Sequence, residues 1–143
     1  MWKIVVFLYL LTLGHSAFAN TVVTCGGNEG YAFYFAGLIV KSEDAGWHTD
    51  GTSSGKTALT LNGEKIDILF SDATGNLQSA TASGGIVALL GNEGSWITVL
   101  VNYPNTTAEL YTFNLETKSF AMSSHKYGSA PIQKAATFVG KCL

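Results

Sequence analysis

Apolar residues recur at every second position along most of this 143-residue chain, and that spacing restricts its fold more than any other feature. The alternating runs are short, and Gly, Asn, Asp or Pro separates them at intervals of roughly eight to twelve residues. A period of two matches a β-strand, in which successive side chains point to opposite faces of a sheet. The chain is therefore predicted to be all-β, with about eight to ten strands.

The run TALTLNGEKIDILF is the clearest hairpin signal in the chain. Asn62 and Gly63 separate two alternating segments, and this pair predicts a two-residue type I′ turn. In the second segment one face carries apolar side chains and the other carries Asp67. Consecutive hairpins of this kind predict a single antiparallel meander that curls into a small β-barrel or a two-layer sandwich.

The N-terminal residues MWKIVVFLYLLTLGHSAFAN combine one lysine, an apolar run and the small-residue triplet Ala17-Phe18-Ala19. This arrangement predicts a secretory signal peptide, residues 1–19, followed by one all-β domain, residues 20–143. The apolar run has about ten residues, half of the roughly twenty that span a bilayer, so no membrane insertion is expected after cleavage. The predicted location is periplasmic or secreted.

The two cysteines, Cys25 and Cys142, lie near opposite ends of the predicted mature chain. An even pair in an exported protein predicts a disulfide, and neither a C-x-x-C spacing nor clustered histidines favour a redox or metal pair. The disulfide would join the first strand to the last.

The charged residues argue against several partners. The chain has no arginine, and its eight lysines are scattered among ten acidic residues. Nucleic-acid binding needs a basic face that releases counterions from phosphates, and bidentate phosphate recognition depends on arginine. We therefore expect no nucleic-acid partner, and we expect a monomer.

The tetrapeptide GNEG occurs at residues 27–30 and again at residues 91–94. A duplicated site would carry similarity beyond the tetrapeptide, but the flanking residues share only their apolar character. Gly and Asn tolerate positive φ, so we interpret both copies as a reused turn between strands.

Residues 36–56 follow no clean period, and a segment of that length inside a compact domain is either functional or contains a short helix. Residues 42–45 form a candidate helical turn, after which Trp47 is expected to fold back as a plug. We predict that this region binds an unknown protein or a small-molecule or glycan ligand, through Trp47, Asp50, Ser53, Ser54 and Lys56.

The aromatic residues are concentrated in one short run, YAFYF. Alternation places Tyr31, Phe33 and Phe35 on one face, which we expect to be the core, and Tyr34 on the other. The alternative is an aromatic-lined pocket or an exposed platform for a glycan or an apolar ligand.

Catalytic and metal-binding patterns are weak. Residues 51–55 match the G-x-S-x-G nucleophile pattern, and Asp72 and His125 follow in the order used by α/β-hydrolases. That motif works on a strand, turn and helix over a parallel sheet, whereas the residues after Gly55 alternate as a strand does. A serine hydrolase using Ser53 and His125 is therefore only an alternative, and we predict no enzyme activity, no metal and no cofactor.

Three segments, DAGWHTDGTSSGK, YTFNLETKSFAMSSHKYG and the final FVGKC, resemble an uncharacterised family of small exported proteobacterial proteins. The chain is also distantly similar to periplasmic inhibitors of c-type lysozyme, which implies a small antiparallel β-barrel. In that family a serine and a lysine enter the lysozyme cleft, and Ser53, Ser54 and Lys56 are loosely similar to its Ser-Gly-rich segment. The leading prediction is a non-enzymatic binding protein of the bacterial envelope, with a lysozyme inhibitor as the alternative.

Overall fold

The computed structural model describes residues 20–71 and 74–143. The predicted signal peptide and Asp72 lie outside these described residues. The described chain forms ten strands and one short 3-10 helix, Ser42–Asp44. The strands are β1 (Asn20–Tyr34), β2 (Gly46–Thr52), β3 (Thr57–Asn62), β4 (Lys65–Ser71), β5 (Leu77–Ser79), β6 (Ile86–Glu93), β7 (Trp96–Tyr103), β8 (Thr107–Asn114), β9 (Ser119–Lys126) and β10 (Lys134–Cys142).

All ten strands belong to one antiparallel sheet that curls into a half-barrel, which confirms the predicted all-β antiparallel class. The order across the sheet is β5-β4-β3-β1-β10-β9-β8-β7-β6, with β2 pairing beside β3 along β1. The two edge strands, β5 and β6, are consecutive in sequence. The chain therefore forms one curved sheet, and the two-layer sandwich that we allowed for is not the arrangement.

The concave side of the half-barrel holds the core. One buried cluster combines side chains from both ends of the strand order, which the curvature brings face to face. Leu59 and Ile68 of β3 and β4 contribute from one half, and Val99 and Phe113 of β7 and β8 from the other. All four are completely buried. Alternation in these strands follows the predicted pattern, with Asp67 outside the cluster.

A β-bulge in β1 reverses which of its faces points inward. Cys25 pairs with Cys142, but the next pair is Asn28 with Gly140, so β1 contains one extra residue there. Odd-numbered residues face the core before the bulge, and even-numbered residues such as Ala32 and Tyr34 face inward after it. This overturns the expected aromatic core: Tyr31 is 61% exposed on the convex side.

The long region after β1 is more ordered than the sequence suggested. The predicted helical turn is present as the 3-10 helix, but it is followed by strand β2, which pairs with the second half of β1. Between β2 and β3, residues 53–56 bulge outward opposite Gly26 and Gly27. The sequence shows no clean period here because residues 53–56 separate β2 from β3, and the alternation of inward and outward side chains in β3 is out of phase with that in β2.

Two turn predictions were wrong in detail. Asn62 pairs with Lys65, so the β3–β4 turn is centred on Gly63 and Glu64, one residue later than expected. Gly63 has φ 62, as the first position of a type II′ turn requires. The first GNEG copy lies within β1 at its bulge, and only the second ends in a hairpin turn, at Gly94 and Ser95. The two copies therefore share only that each lies next to an interruption of strand pairing, the bulge in β1 for the first copy and the turn after β6 for the second.

The Cys25–Cys142 disulfide joins β1 to β10 as predicted. Both strands lie at the middle of the sheet, so the bond fastens its centre rather than closing its edges. Disulfides persist in oxidising compartments, which is consistent with a location outside the cytoplasm. In the part of the chain described here, no helix is long and apolar enough to cross a membrane.

Candidate functional site

A cavity of about 490 Å³ opens on the concave side, near the end where β9 finishes and β10 begins. Its walls come from β2 to β4 on one side and from β7 to β10 on the other. Charged, hydroxyl and apolar side chains all line it, including Asp50, Lys56, Phe70, Tyr103, Thr107, Glu109, Tyr111, Met122, Ser124, Lys126, Lys134 and Phe138. The volume lies within the range of small-molecule sites.

Strand register arranges these side chains in three levels along β8, β9 and β10. At the mouth, Lys126 of β9 pairs with both Thr107 and Lys134. Two residues deeper on the same face, Ser124 pairs with Glu109 and Ala136. The third level pairs Met122 with Tyr111 and Phe138. Along β8 to β10, polarity therefore falls from ammonium groups to a hydroxyl and a carboxyl, and then to apolar side chains and the Tyr111 ring; Asp50 of β2 lies level with this third row.

Asp50 and Lys134 form an ion pair on the β2 side of the cavity, where Asp50 lies across Gly30 from Phe138. The Lys134 ammonium donates to Asp50 Oδ2, and the Tyr34 hydroxyl donates to the same oxygen at 2.9 Å. Burial favours the neutral form of Asp50, but the hydrogen bonds from Lys134, Tyr34 and the Gly51 amide outweigh it and lower its pKa. This pair neutralises one lysine and fixes β2 against β10.

Glu109 lies inside the cavity wall, where its carboxyl accepts a hydrogen bond of 2.8 Å from the Tyr111 hydroxyl. Burial raises the pKa of Glu109, and the Tyr111 bond and the nearby charge of Lys126 only partly offset that effect. Burial also raises the pKa of Tyr103 to about 12, with smaller contributions from the charges of Glu109 and Asp67. The inner wall is thus a poor environment for negative charge on protein groups.

Ser124 is the most unusual polar residue of the cavity. It is only 2% exposed, and its hydroxyl has no hydrogen-bond partner in the described part of the structure. Glu109 stands directly opposite in the strand register but is engaged by Tyr111. A buried hydroxyl without a partner costs about 1–3 kcal/mol. Because Ser124 lines the cavity, a bound molecule is in position to satisfy it.

Replacing Glu109 with Gln tests the buried carboxyl. A group whose folded pKa is raised stabilises the protein below its unfolded pKa, and that contribution is lost as pH rises through the folded pKa. The Gln side chain of Glu109→Gln still accepts a hydrogen bond from the Tyr111 hydroxyl, but it cannot ionise. The variant therefore does not lose stability at this position as pH rises. We expect the variant to be more stable than the wild type at pH 7 but not at pH 4, because only at pH 7 is the buried carboxyl ionised at a cost in stability.

Urea unfolding at the two pH values measures this difference. Glu116→Gln, in the exposed β8–β9 turn, is the control and should change stability equally at both. If Glu109→Gln lost stability at pH 7, the ionised carboxylate would be stabilising and the assignment of an unfavourable buried charge would be wrong.

The structure separates the residues that the sequence grouped as a binding segment. Asp50 and Lys56 line the cavity. Trp47 lies on the convex side, 70% exposed, with its ring 5.5 Å from that of Phe33, so it is not a plug. Ser53 and Ser54 are exposed on the bulge between β2 and β3. Only two of the five therefore share the concave site.

Ser53 and His125 are not neighbours in the sheet. One row of paired residues crosses β2, β1, β10 and β9 and consists of Trp47, Phe33, Ala135 and His125. Ser53 lies six positions beyond Trp47, which is roughly 20 Å at the rise of a strand. A nucleophile and its base must lie within hydrogen-bond distance. The described structure does not assemble this pair.

The site residues predicted from the sequence did not include Glu109, Ser124, Lys126 or Lys134. One signal was available for Glu109, because it shares a strand face with Tyr111 and Phe113 in TAELYTF, and a charged residue on an apolar face is unusual. Nothing local marks the two lysines, since their proximity depends on the β9–β10 register. Among the described residues, no three His, Cys, Asp or Glu side chains are grouped to hold a metal ion.

No family model, curated protein or solved structure matches this chain. The resemblances to small exported proteobacterial proteins and to lysozyme inhibitors therefore stay predictions, and the cavity must be interpreted from its own geometry.

Proposed function

We propose that this protein is an exported, non-enzymatic binding protein of the bacterial envelope that holds a small molecule in its concave cavity. The observation that carries the proposal is the cavity itself, about 490 Å³, into which polar and apolar side chains from both halves of the sheet converge. Ligand sites in proteins combine an apolar lining with a few placed polar groups. The disulfide supports the exported location.

The polar groups of the cavity support binding rather than catalysis. Lys134 is paired with Asp50, and Glu109 is occupied by Tyr111. Ser124, the hydroxyl nearest to Glu109 in the register, donates to no base. Nucleophilic catalysis requires a nucleophile held by a base. Groups that are already paired, or held without an activating partner, are suited to orienting a ligand.

A blocking variant tests where a ligand binds. Thr107 lies at the mouth opposite Lys126, and Thr107→Trp should fill the entrance. Thr112 is on the opposite face of the same strand, so Thr112→Trp is the matched control. The probes are decanoate, decanol, decylamine and N-acetylglucosamine oligomers. We expect at least one of them to raise the melting temperature of the oxidised wild type. A ligand at 100 times its dissociation constant adds about 2.7 kcal/mol to the free energy of unfolding.

Thr107→Trp should abolish that shift, whereas Thr112→Trp should retain it. Circular dichroism of both variants establishes that each is folded. If every probe were inert, or if Thr107→Trp bound as tightly as the control, the concave cavity would not be the ligand site.

The lysozyme-inhibitor alternative is supported by a different observation, the outward bulge of residues 53–56. Ser53 and Ser54 are exposed there. Adding the protein in molar excess to c-type lysozyme tests this alternative. Undiminished cell-wall hydrolysis would remove it without affecting the cavity proposal.

A further inference from the structure

The arrangement of charge in the cavity indicates what kind of ligand it holds, and the following inference rests on the function proposed above. Three ammonium groups, those of Lys56, Lys126 and Lys134, line the cavity against two carboxyls, those of Asp50 and Glu109. Lys134 is already paired with Asp50. Neither Lys56 nor Lys126 has an ion-pair partner within 4.0 Å among the described residues. The cavity therefore has two lysines that are not held in an ion pair.

Lys126 and Lys134 face each other directly across β9 and β10. Like charges directly opposite in a sheet are destabilising. Asp50 bonds the Lys134 ammonium and not Lys126, and Glu109, although close enough for the Lys126 charge to lower its pKa, accepts its hydrogen bond from Tyr111. An anionic group placed beside Lys126 would complete the neutralisation of this pair.

Ser124 supplies an independent observation at the next level down. It lies two residues from Lys126 on the same strand, and alternate residues share a face. Its buried hydroxyl has no partner among the described residues. A ligand oxygen between the mouth and the second level would accept both from this hydroxyl and from the Lys126 ammonium.

The third level determines the rest of the ligand. Met122 and Phe138 pair directly across β9 and β10, and Phe70 faces them from the other half of the sheet. On the β8 to β10 wall, a ligand whose acidic group meets Lys126 and Ser124 has Met122, Phe138 and the Tyr111 ring below it, and the polar neighbours Asp50 and Lys134 are already paired with each other. An apolar ligand body is complementary to this wall.

We propose that the cavity binds an amphipathic monocarboxylate, with the carboxylate held by Lys126 and Ser124 at the mouth and the apolar body packed on Met122, Phe138 and Phe70. A carboxylate fits better than a phosphate ester because the site has few donors and the chain has no arginine. Glu109, beside the same position, also disfavours a second negative charge on the ligand.

The test compares decanoate with decanol, decylamine and decyl phosphate, all below their micellar concentrations, by isothermal titration calorimetry of the oxidised protein. We expect decanoate to bind at least about tenfold more tightly than decanol, because a hydrogen bond to a charged group is stronger than one between neutral groups. Decylamine should bind more weakly still. The preference for decanoate should shrink as salt rises from 20 mM to about 500 mM, since Lys126 is exposed to screening.

Variants assign the two contacts. Lys126→Met and Ser124→Ala should each weaken decanoate about fivefold and leave decanol nearly unchanged. Lys65→Met, on the convex face at the start of β4, is the matched control and should leave both affinities unchanged. Ser124→Ala should not lower the melting temperature of the free protein, because it removes a buried hydroxyl that has no partner.

Each other outcome overturns the inference in a distinguishable way. If decanol or decylamine equals decanoate and Thr107→Trp blocks them, the cavity binds ligands but does not select carboxylates. Tenfold tighter binding of decyl phosphate would replace the carboxylate with a phosphate. If Lys126→Met and Ser124→Ala bind decanoate like the wild type, the acidic group lies elsewhere. If no probe binds, both proposals fail.

Discussion

Reduction of the Cys25–Cys142 disulfide is expected to lower the free energy of unfolding by about 4–5 kcal/mol. The two cysteines are 117 residues apart, and a cross-link that closes a loop of about 100 residues removes roughly 4.7 kcal/mol of chain entropy from the unfolded state in the entropic model. For a domain of this size we expect the melting temperature to fall by roughly 15 °C.

The folded sheet should survive this change at low temperature. The backbone pairing of β1 with β10, from Asn28 with Gly140 to Tyr34 with Lys134, does not involve the cysteines and should hold the two strands together after reduction. The Cys25 side chain is completely buried, so Cys25→Ala with Cys142→Ala is a better permanent variant than a pair of serines, which would bury hydroxyls.

Thermal unfolding followed by far-ultraviolet circular dichroism, with and without reductant, measures the effect. The double alanine variant should match the reduced wild type and be insensitive to reductant. Equal melting temperatures for oxidised and reduced wild type would show that the disulfide does not restrict the unfolded chain as proposed.

The strand content was predictable because most of it depends on neighbouring residues. β7, β8 and β9 follow one another through short turns, and their alternation appears directly in the sequence. The disulfide pairing followed from there being only two cysteines. The strands depend on patterns among neighbouring residues, and the disulfide has only one possible pairing.

The faces of β1 could not be predicted from alternation alone. Gly26 and Gly27 have no side chains to mark the bulge, and the bulge exists because two separate segments, β2 and β3, pair along the same side of β1. A one-residue shift moves every later side chain to the opposite face. The aromatic run therefore changed from an expected core to the convex surface.

The cavity was less predictable still. Asp50 and Lys134 are separated by most of the domain, and they meet because β1 and β10 lie side by side with β2 next to β1. Lys126 and Ser124 line the cavity only because the sheet is curved and both side chains lie on its concave side. The sequence indicated Asp50 and Lys56 as binding residues, but it placed them in a loop rather than on a cavity wall.

The second large effect is expected from Gly30→Ala, in the first GNEG copy. Gly30 lies inside β1, paired with Phe138 of β10 on one side and Asp50 of β2 on the other. A Cβ there would overlap the carbonyl oxygen of Thr137 and lie 2.8 Å from Phe138 Cα. Both neighbours are backbone atoms held in a sheet, so a side-chain rotation cannot relieve the overlap.

We expect Gly30→Ala to destabilise the protein by about 3 kcal/mol, at the upper end of overpacking costs, and to lower the melting temperature by roughly 10 °C. Gly91, the first residue of the second GNEG copy, is the control. A Cβ at Gly91 meets nothing within 4 Å, so Gly91→Ala should change stability by less than about 0.5 kcal/mol.

Because the backbone of Phe138 must move to admit the methyl group, Gly30→Ala should also weaken binding of any ligand that rests on the Phe138 ring. Urea unfolding of both variants, followed by titration with decanoate, separates the two effects. Similar stability for Gly30→Ala and Gly91→Ala would mean that close packing of β1 against β10 does not require glycine at residue 30.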